Sequence, residues 1–188
     1  MIAENIGKYI LSYVTIDKSG YTKAVLKVMR LEKYNVSDEI MYAQLVFNQE
    51  IMKMNLGRVF TVEEARMAFQ TVIMQNASEP QLGVYKVYIG ENDEEYIGMG
   101  ATCWNEEYSA VEIEYMLLPQ YWNRGYGTAL VKNLVHMAVT WKSGTNVIAI
   151  TDPANICSQR ILQKNGFVLI KQYLNQDGEA ALLYQKSI

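Results

Sequence analysis

Residues 112–130 read EIEYMLLPQYWNRGYGTAL. Charged and apolar positions alternate from Glu112 to Tyr115, Pro119 ends the run, and two glycines one residue apart lead into apolar residues at helical spacing. The pattern predicts a strand, a Gly-rich turn and a helix. Such a turn leaves several backbone N–H groups unpaired at the positive end of the helix dipole, which makes a seat for a phosphate or pyrophosphate. Gly125 and Gly127 allow φ values and approach distances that a Cβ would block, and Arg124 adds charge at the rim. A turn that merely closes a strand–helix connection is the plain alternative. Two other phosphate readers fail on their own requirements. No GxxxxGK[ST] segment exists, and Leu130 stands where a dinucleotide fingerprint needs its third glycine.

Outward from that stretch, the chain reads as an α/β domain with a mixed, mostly antiparallel sheet of six to seven strands flanked by about four helices. KYILSYVTID and YTKAVLKVMRLE form a hairpin across the turn DKSG. SDEIMYAQLVFNQEIMKM predicts one helix capped by Ser37 or Asp38, and TVEEARMAFQTVIMQ a second, with Thr61 and Glu64 in capping-box register. VYKVYIG, YIGMGATCWN and AVEIEYMLLP are strands; GTALVKNLVHMAVTW is a helix; NVIAIT is a short buried strand. DPANICSQRILQKNGF predicts a helix with Asp152 at its cap, Pro153 in its first turn and Gly166 at its end. FVLIKQYL and AALLYQK supply the last strands. No linker or repeat interrupts 1–188, so a single domain is expected, with acceptor-side elements in 1–82 and the core in 83–188.

Half of the 188 residues are hydrophobic and a fifth are charged, enough for one domain with a sizeable core. The start MIAENIGKYILSYV has no signal-like pattern, and no apolar run reaches the length of a membrane span, so a cytoplasmic protein without membrane contact is expected. Net charge is -3 with no basic block, which disfavours nucleic acid as a partner. Cys103 and Cys157 lack metal-ligand spacing and are expected to be small buried hydrophobes. His136 is the sole histidine, so neither a metal site nor a Ser/His/Asp triad is supplied, and helix packing accounts for it. Met52, Met54, Met67 and Met74 are expected in the core of the first two helices, and Tyr13, Tyr21, Tyr42 and Tyr85 in half-buried elements.

The segment WNRGYGTAL after EIEYMLLP, followed by NICSQRILQKNGF, resembles the GNAT superfamily of N-acetyltransferases, whose pyrophosphate motif is Q/R-x-x-G-x-G/A. The likeness spans about 83–183, and two helices between the first strand and the second hairpin match the family order. Tyr121, Trp122, Asn155 and Ser158 resemble the ribosomal-protein N-terminal acetyltransferase branch. The resemblance implies that acetyl-CoA, as co-substrate, lays its pyrophosphate on the amides of Asn123, Arg124, Gly125, Tyr126, Gly127 and Thr128. It implies that the pantetheine arm pairs with the backbone near Met116 and Leu118, and that Asn155 bonds the arm. Lys164 or Arg124 would face CoA phosphates, with a solvated lysine near a helix end as the other reading of Lys164. Trp122 departs from the motif's Gln or Arg. Leu162 departs from the family's Tyr proton donor, and Ser158 on the same helix face is its implied substitute.

An alkyl amine is mostly protonated at pH 7, so a carboxylate must take its proton before it can attack. Glu112 and Glu114 share one face of their strand. The family's catalytic glutamate opens an E-I-x-Y segment, which selects Glu112 and leaves Glu114 as a solvent-facing strand residue; an ordinary cross-strand charge is the other reading of Glu112. Strand amides near Leu117 would polarise the thioester carbonyl. The implied activity is acetyl transfer to a primary amine, a peptide N-terminus in that branch. A small-molecule amine acetyltransferase and a non-catalytic acyl-CoA-binding module are the alternatives, and the sequence leaves a homodimer open.

Overall fold

In a computed structural model, residues 7–16, 22–90 and 94–188 are described, with side chains from residue 28 onward. The hairpin predicted at the N-terminus is present: β1 (Gly7–Ile16) pairs antiparallel with β2 (Thr22–Lys33). Its turn, with Tyr21, lies outside the described residues, as do the side chain of Tyr13 and residues 91–93 of the second turn. The helical layer follows as α1 (Glu39–Val46), α2 (Gln49–Lys53) and α3 (Val62–Ser78). Then come β3 (Gly83–Ile89), β4 (Glu95–Asn105), β5 (Ala110–Leu117), α4 (Tyr126–Trp141), β6 (Val147–Thr151), α5 (Ile156–Lys164), β7 (Val168–Leu174) and β8 (Ala180–Lys186).

All eight described strands lie in one sheet of order β1-β2-β3-β4-β5-β6-β8-β7, wider than expected because both arms of the first hairpin join it. The sheet is antiparallel except between β5 and β6, which meet only at Val111↔Val147 and Glu112↔Ile148 and then diverge. Period-two alternation divides β5 between two cores. Val111 and Ile113 pack with Leu130, Leu134 and Leu162 under α4 and α5. The opposite face carries Met99 and Ala101, which pack with Tyr42, Leu45 and Phe69 under α1–α3. Glu112, Glu114 and Met116 point to that second face by the same alternation.

The single helix expected over 37–54 is divided. Asn35, not Ser37, caps a 3-10 turn (Val36–Asp38), and Asp38 completes its capping box. Asn48 then accepts the amides of Glu50 and Ile51 and so restarts the chain as α2. The Thr61–Glu64 box at α3 is present. At α5 the cap is Asn155 rather than Asp152, whose carboxylate takes the Ala154 amide, so Pro153 precedes the helix. Met52 is buried, whereas Met54, Met67 and Met74 are exposed, because the apolar face of these short helices is narrower than their methionine content. His136 lies on the exposed side of α4.

Lys86, 3% exposed, holds the acceptor-side layer to the sheet through Glu32 at 2.6 Å and Asp38 at 2.7 Å. Arg30 extends this network to Glu32 and Glu94. Removing one partner would strand a buried charge, so the group locks the position of α1 over the strands.

Gly98 sits where the β3–β4 register slips, with φ +153°, and a Cβ there would press on the Met116 carbonyl oxygen. We expect Gly98→Ala to destabilise the fold by about 3 kcal/mol, a Tm loss of roughly 6 to 12 °C. Thermal melting checks this; an unchanged Tm would contradict the backbone geometry at β4.

Candidate active site

Where β5 and β6 part, the interior of the sheet has an edge. The Leu118 amide donates to Ile97 at 2.9 Å, so alternation turns the amides of Met116 and Leu118 toward β4 and those of Tyr115 and Leu117 toward the opening. Met116 and Leu118, expected to pair with the pantetheine arm, thus turn their amides to β4. The Trp122 indole donates to the Leu117 carbonyl at 2.6 Å, which gives the motif's unexpected tryptophan a structural task.

The turn after β5 opens α4 without a side-chain cap. Its N-cap, Gly125, has φ 83°, and Asn123 has φ 58°, a left-handed conformation that asparagine tolerates. Ala129 is paired with the Gly125 carbonyl, so the amides of Gly127 and Thr128 belong to the open first turn. Gly127 has a packing reason: a Cβ there would meet Ile161 Cδ1 at 2.8 Å, so this glycine lets α4 and α5 approach.

A cavity of about 960 Å³ joins this turn to the β5–β6 opening and to the acceptor-side layer. Asn123, Gly125, Gly127 and Thr128 line one end, and Asn155, Ser158 and Lys164 the flank formed by α5. Glu112, Glu114 and Met116 line the floor. Three expected residues do not line it: Arg124 is exposed, Tyr126 is buried against Tyr121, and Leu118 is buried with the acceptor-side core. Arg160 also lines the cavity, one turn from Lys164 on α5; the i, i+4 spacing in RILQK was the available signal.

The two glutamates differ. Glu112 receives the Asn105 amide at 2.7 Å, and burial raises its pKa against that bond. Glu114 lies beyond the last β5–β6 pair, is exposed, and lines the cavity. Desolvation, then the charge of Glu112, pushes Glu114 up to about 7. Its exposure agrees with the reading of it as a solvent-facing strand residue; the raised pKa is what that reading did not contain. Burial followed by the charge of Glu114 pushes the Tyr42 phenol up to about 12, which places Tyr42 within electrostatic reach of that carboxylate.

Ser158 Oγ lies 2.8 Å from Tyr115 Oη, and both line the cavity. Burial pushes the Tyr115 phenol up to about 12, with the Ser158 bond acting against it. Asn155 uses Oδ1 to cap α5 at Ser158 N and Nδ2 to reach the Met54 carbonyl at 3.4 Å, spanning from α5 to the end of α2. Leu162 is fully buried on the core side of α5. Among the described residues no group of three or more His, Cys, Asp or Glu side chains could hold a metal ion, and no helix is long and apolar enough to cross a membrane.

A strand pair that opens beside a capless helix start fits the family that the residue order resembles. Residues 29–168 match the acetyltransferase (GNAT) domain model, and the chain belongs to that family. It is 25% identical over 166 residues to the uncharacterized N-acetyltransferase p20 of Bacillus licheniformis, covering 85% of this chain and 92% of that protein. Its fold is similar to a GNAT-family acetyltransferase from Bacillus anthracis, with TM-score 0.70 and 16% identity over 85% of this chain and 94% of that one. It is also similar to the aminoglycoside acetyltransferase AAC(6')-Ib solved with coenzyme A, with TM-score 0.69 and 20% identity over the same shares.

The cysteines of the cavity are unlike each other, contrary to the expectation that both are buried. Cys157 is exposed at the start of α5. Cys103 is pushed up to about 12 by burial and by the charges of Glu114 and Glu112. At pH 8 Cys103 is held as the unreactive thiol. A disulfide reagent should therefore titrate one thiol quickly in the native protein and both after unfolding; equal native rates would contradict this placement.

Proposed function

We propose that the chain transfers the acetyl group of acetyl-CoA to a primary amine, with Glu114 as the base, Glu112 as the group that tunes it, and Ser158 backed by Tyr115 as the proton donor. The observation that carries this reading is one cavity joining an open helix start to a carboxylate of raised pKa. The residues fit the co-substrate: the amides of 123–128 and the side chains of Arg160 and Lys164 suit its phosphates, and the Tyr115 and Leu117 amides suit an extended amide-bearing arm. When bound, acetyl-CoA supplies the activated acetyl group.

The chain's own groups manage the protons. An ordinary glutamate lies roughly 6 pH units below an alkyl ammonium, and the environment of Glu114 closes 2 to 3 of them. Glu114 accepts the proton of the incoming ammonium. The freed nitrogen then bonds to the acetyl carbon and loses its second proton to solvent as the carbon–sulfur bond breaks. Ser158 gives a proton to the departing sulfur and regains one along its hydrogen bond from Tyr115, which solvent reprotonates.

A peptide N-terminus is the acceptor supported by the likeness of Tyr121, Trp122, Asn155 and Ser158 to the ribosomal-protein branch. A free amine is the second reading, favoured by the position of Glu114 at the cavity floor.

Only ionised Glu114 can accept a proton, so kcat/KM should rise with pH through about 7. Removing the neighbouring charge lowers the Glu114 pKa, and Glu112→Gln should move this acidic limb to lower pH. Glu114→Gln should lose about 100-fold or more in kcat and lose the limb, with acetyl-CoA affinity retained. Release of the CoA thiol followed against pH checks all three; if only Glu112→Gln abolishes turnover, the base is Glu112.

A further inference from the structure

We infer that the acceptor of this site carries one primary amine on an apolar body, and that polycationic amines are poor acceptors. The inference rests on the acetyl-transfer reading above and concerns the acceptor end of the same cavity.

The charges there are few and local. Glu112 and Glu114 are two residues apart on β5, about 7 Å along the strand, on the face turned to α1–α3. Ala101 is the cross-strand partner of Glu114 and Cys103 that of Glu112. Around them the wall is formed by Tyr42, Val46, Met52, Phe60, Met99 and Ala101. Five of these pack in the acceptor-side core, and Phe60 packs against it. The remaining polar side chains on this side, Asn55 and Gln75, carry no charge, and the Asn55 amide is already bonded to the Ile51 carbonyl at 2.8 Å.

Two other carboxylates line the cavity away from this wall. Asp152, after β6, is turned to the Ala154 amide, and Glu179, between β7 and β8, accepts from Asn175. Both are exposed at loops. One ammonium therefore finds the glutamate pair. A second either remains in water near these loops and gains little, or enters the apolar wall, where no carboxylate meets it and its hydration is lost. An alkyl or aryl body loses nothing there and removes its surface from water.

The shared chemistry is a primary amine next to an apolar group, whether on a free amine or on the first residue of a peptide. Initial rates of CoA release from acetyl-CoA would be compared for phenethylamine, tryptamine, a tetrapeptide beginning with Met, one beginning with Lys, spermidine and kanamycin. We expect kcat/KM for the best apolar amine or Met peptide to exceed spermidine and kanamycin by about 10-fold or more. The free-amine and peptide arms then show which source the site takes. Phe60→Ala, checked by its melting curve, should narrow this ratio at least threefold. Spermidine or kanamycin as the best acceptor overturns the inference and leaves acetyl transfer standing. No turnover with any amine, despite acetyl-CoA binding by calorimetry, overturns the transfer reading and the inference with it.

Discussion

The structure depends on an interrupted pairing. β5 and β6 share two residue pairs and then separate, so backbone donors that a continuous sheet would satisfy are left facing a cleft in the middle of the molecule. Unpaired backbone groups inside a protein are costly unless something meets them. Trp122 meets the Leu117 carbonyl. The amides of Tyr115 and Leu117 face the opening. Beside them α4 begins with a left-handed glycine and no side-chain cap. Both features leave main-chain donors aimed at one cavity.

The electrostatics of this strand face follow from desolvation and from the neighbouring charge. Glu114 lines the cavity, and desolvation followed by the charge of Glu112 pushes it up to about 7. Glu112, still within the paired region and held by Asn105, contributes that field.

Much of this was legible in residue order. Alternation in EIEYML placed both glutamates on one face, and WNRGYGT announced a strand–turn–helix with an open helix start. The capping box at Thr61 and the stop at Gly166 were legible because they are local hydrogen-bond and φ requirements. Errors arose where longer-range packing decides. Met67 and Met74 have a helical spacing that resembles a core face, yet the sheet covers only part of that helix. Asp38 does stand at the N-cap of α1, but without a side-chain cap bond, and the side-chain caps come from Asn35 before it and Asn48 after it. Gly127 lines the cavity and also carries a packing role that residue order did not show, since a Cβ there would meet Ile161 of α5.

By itself, the sequence determined the elements, their faces and the family likeness, since these follow from periodicity and from motifs a few residues long. The tertiary structure alone decided which groups meet. Tyr115 and Ser158 are 43 residues apart and share a hydrogen bond because α5 crosses the diverging end of β5. Glu114 gains its proton affinity from walls supplied by β4, β6 and the acceptor-side helices. A pKa is set by the surrounding charges and lost water, and those exist only once distant segments have packed.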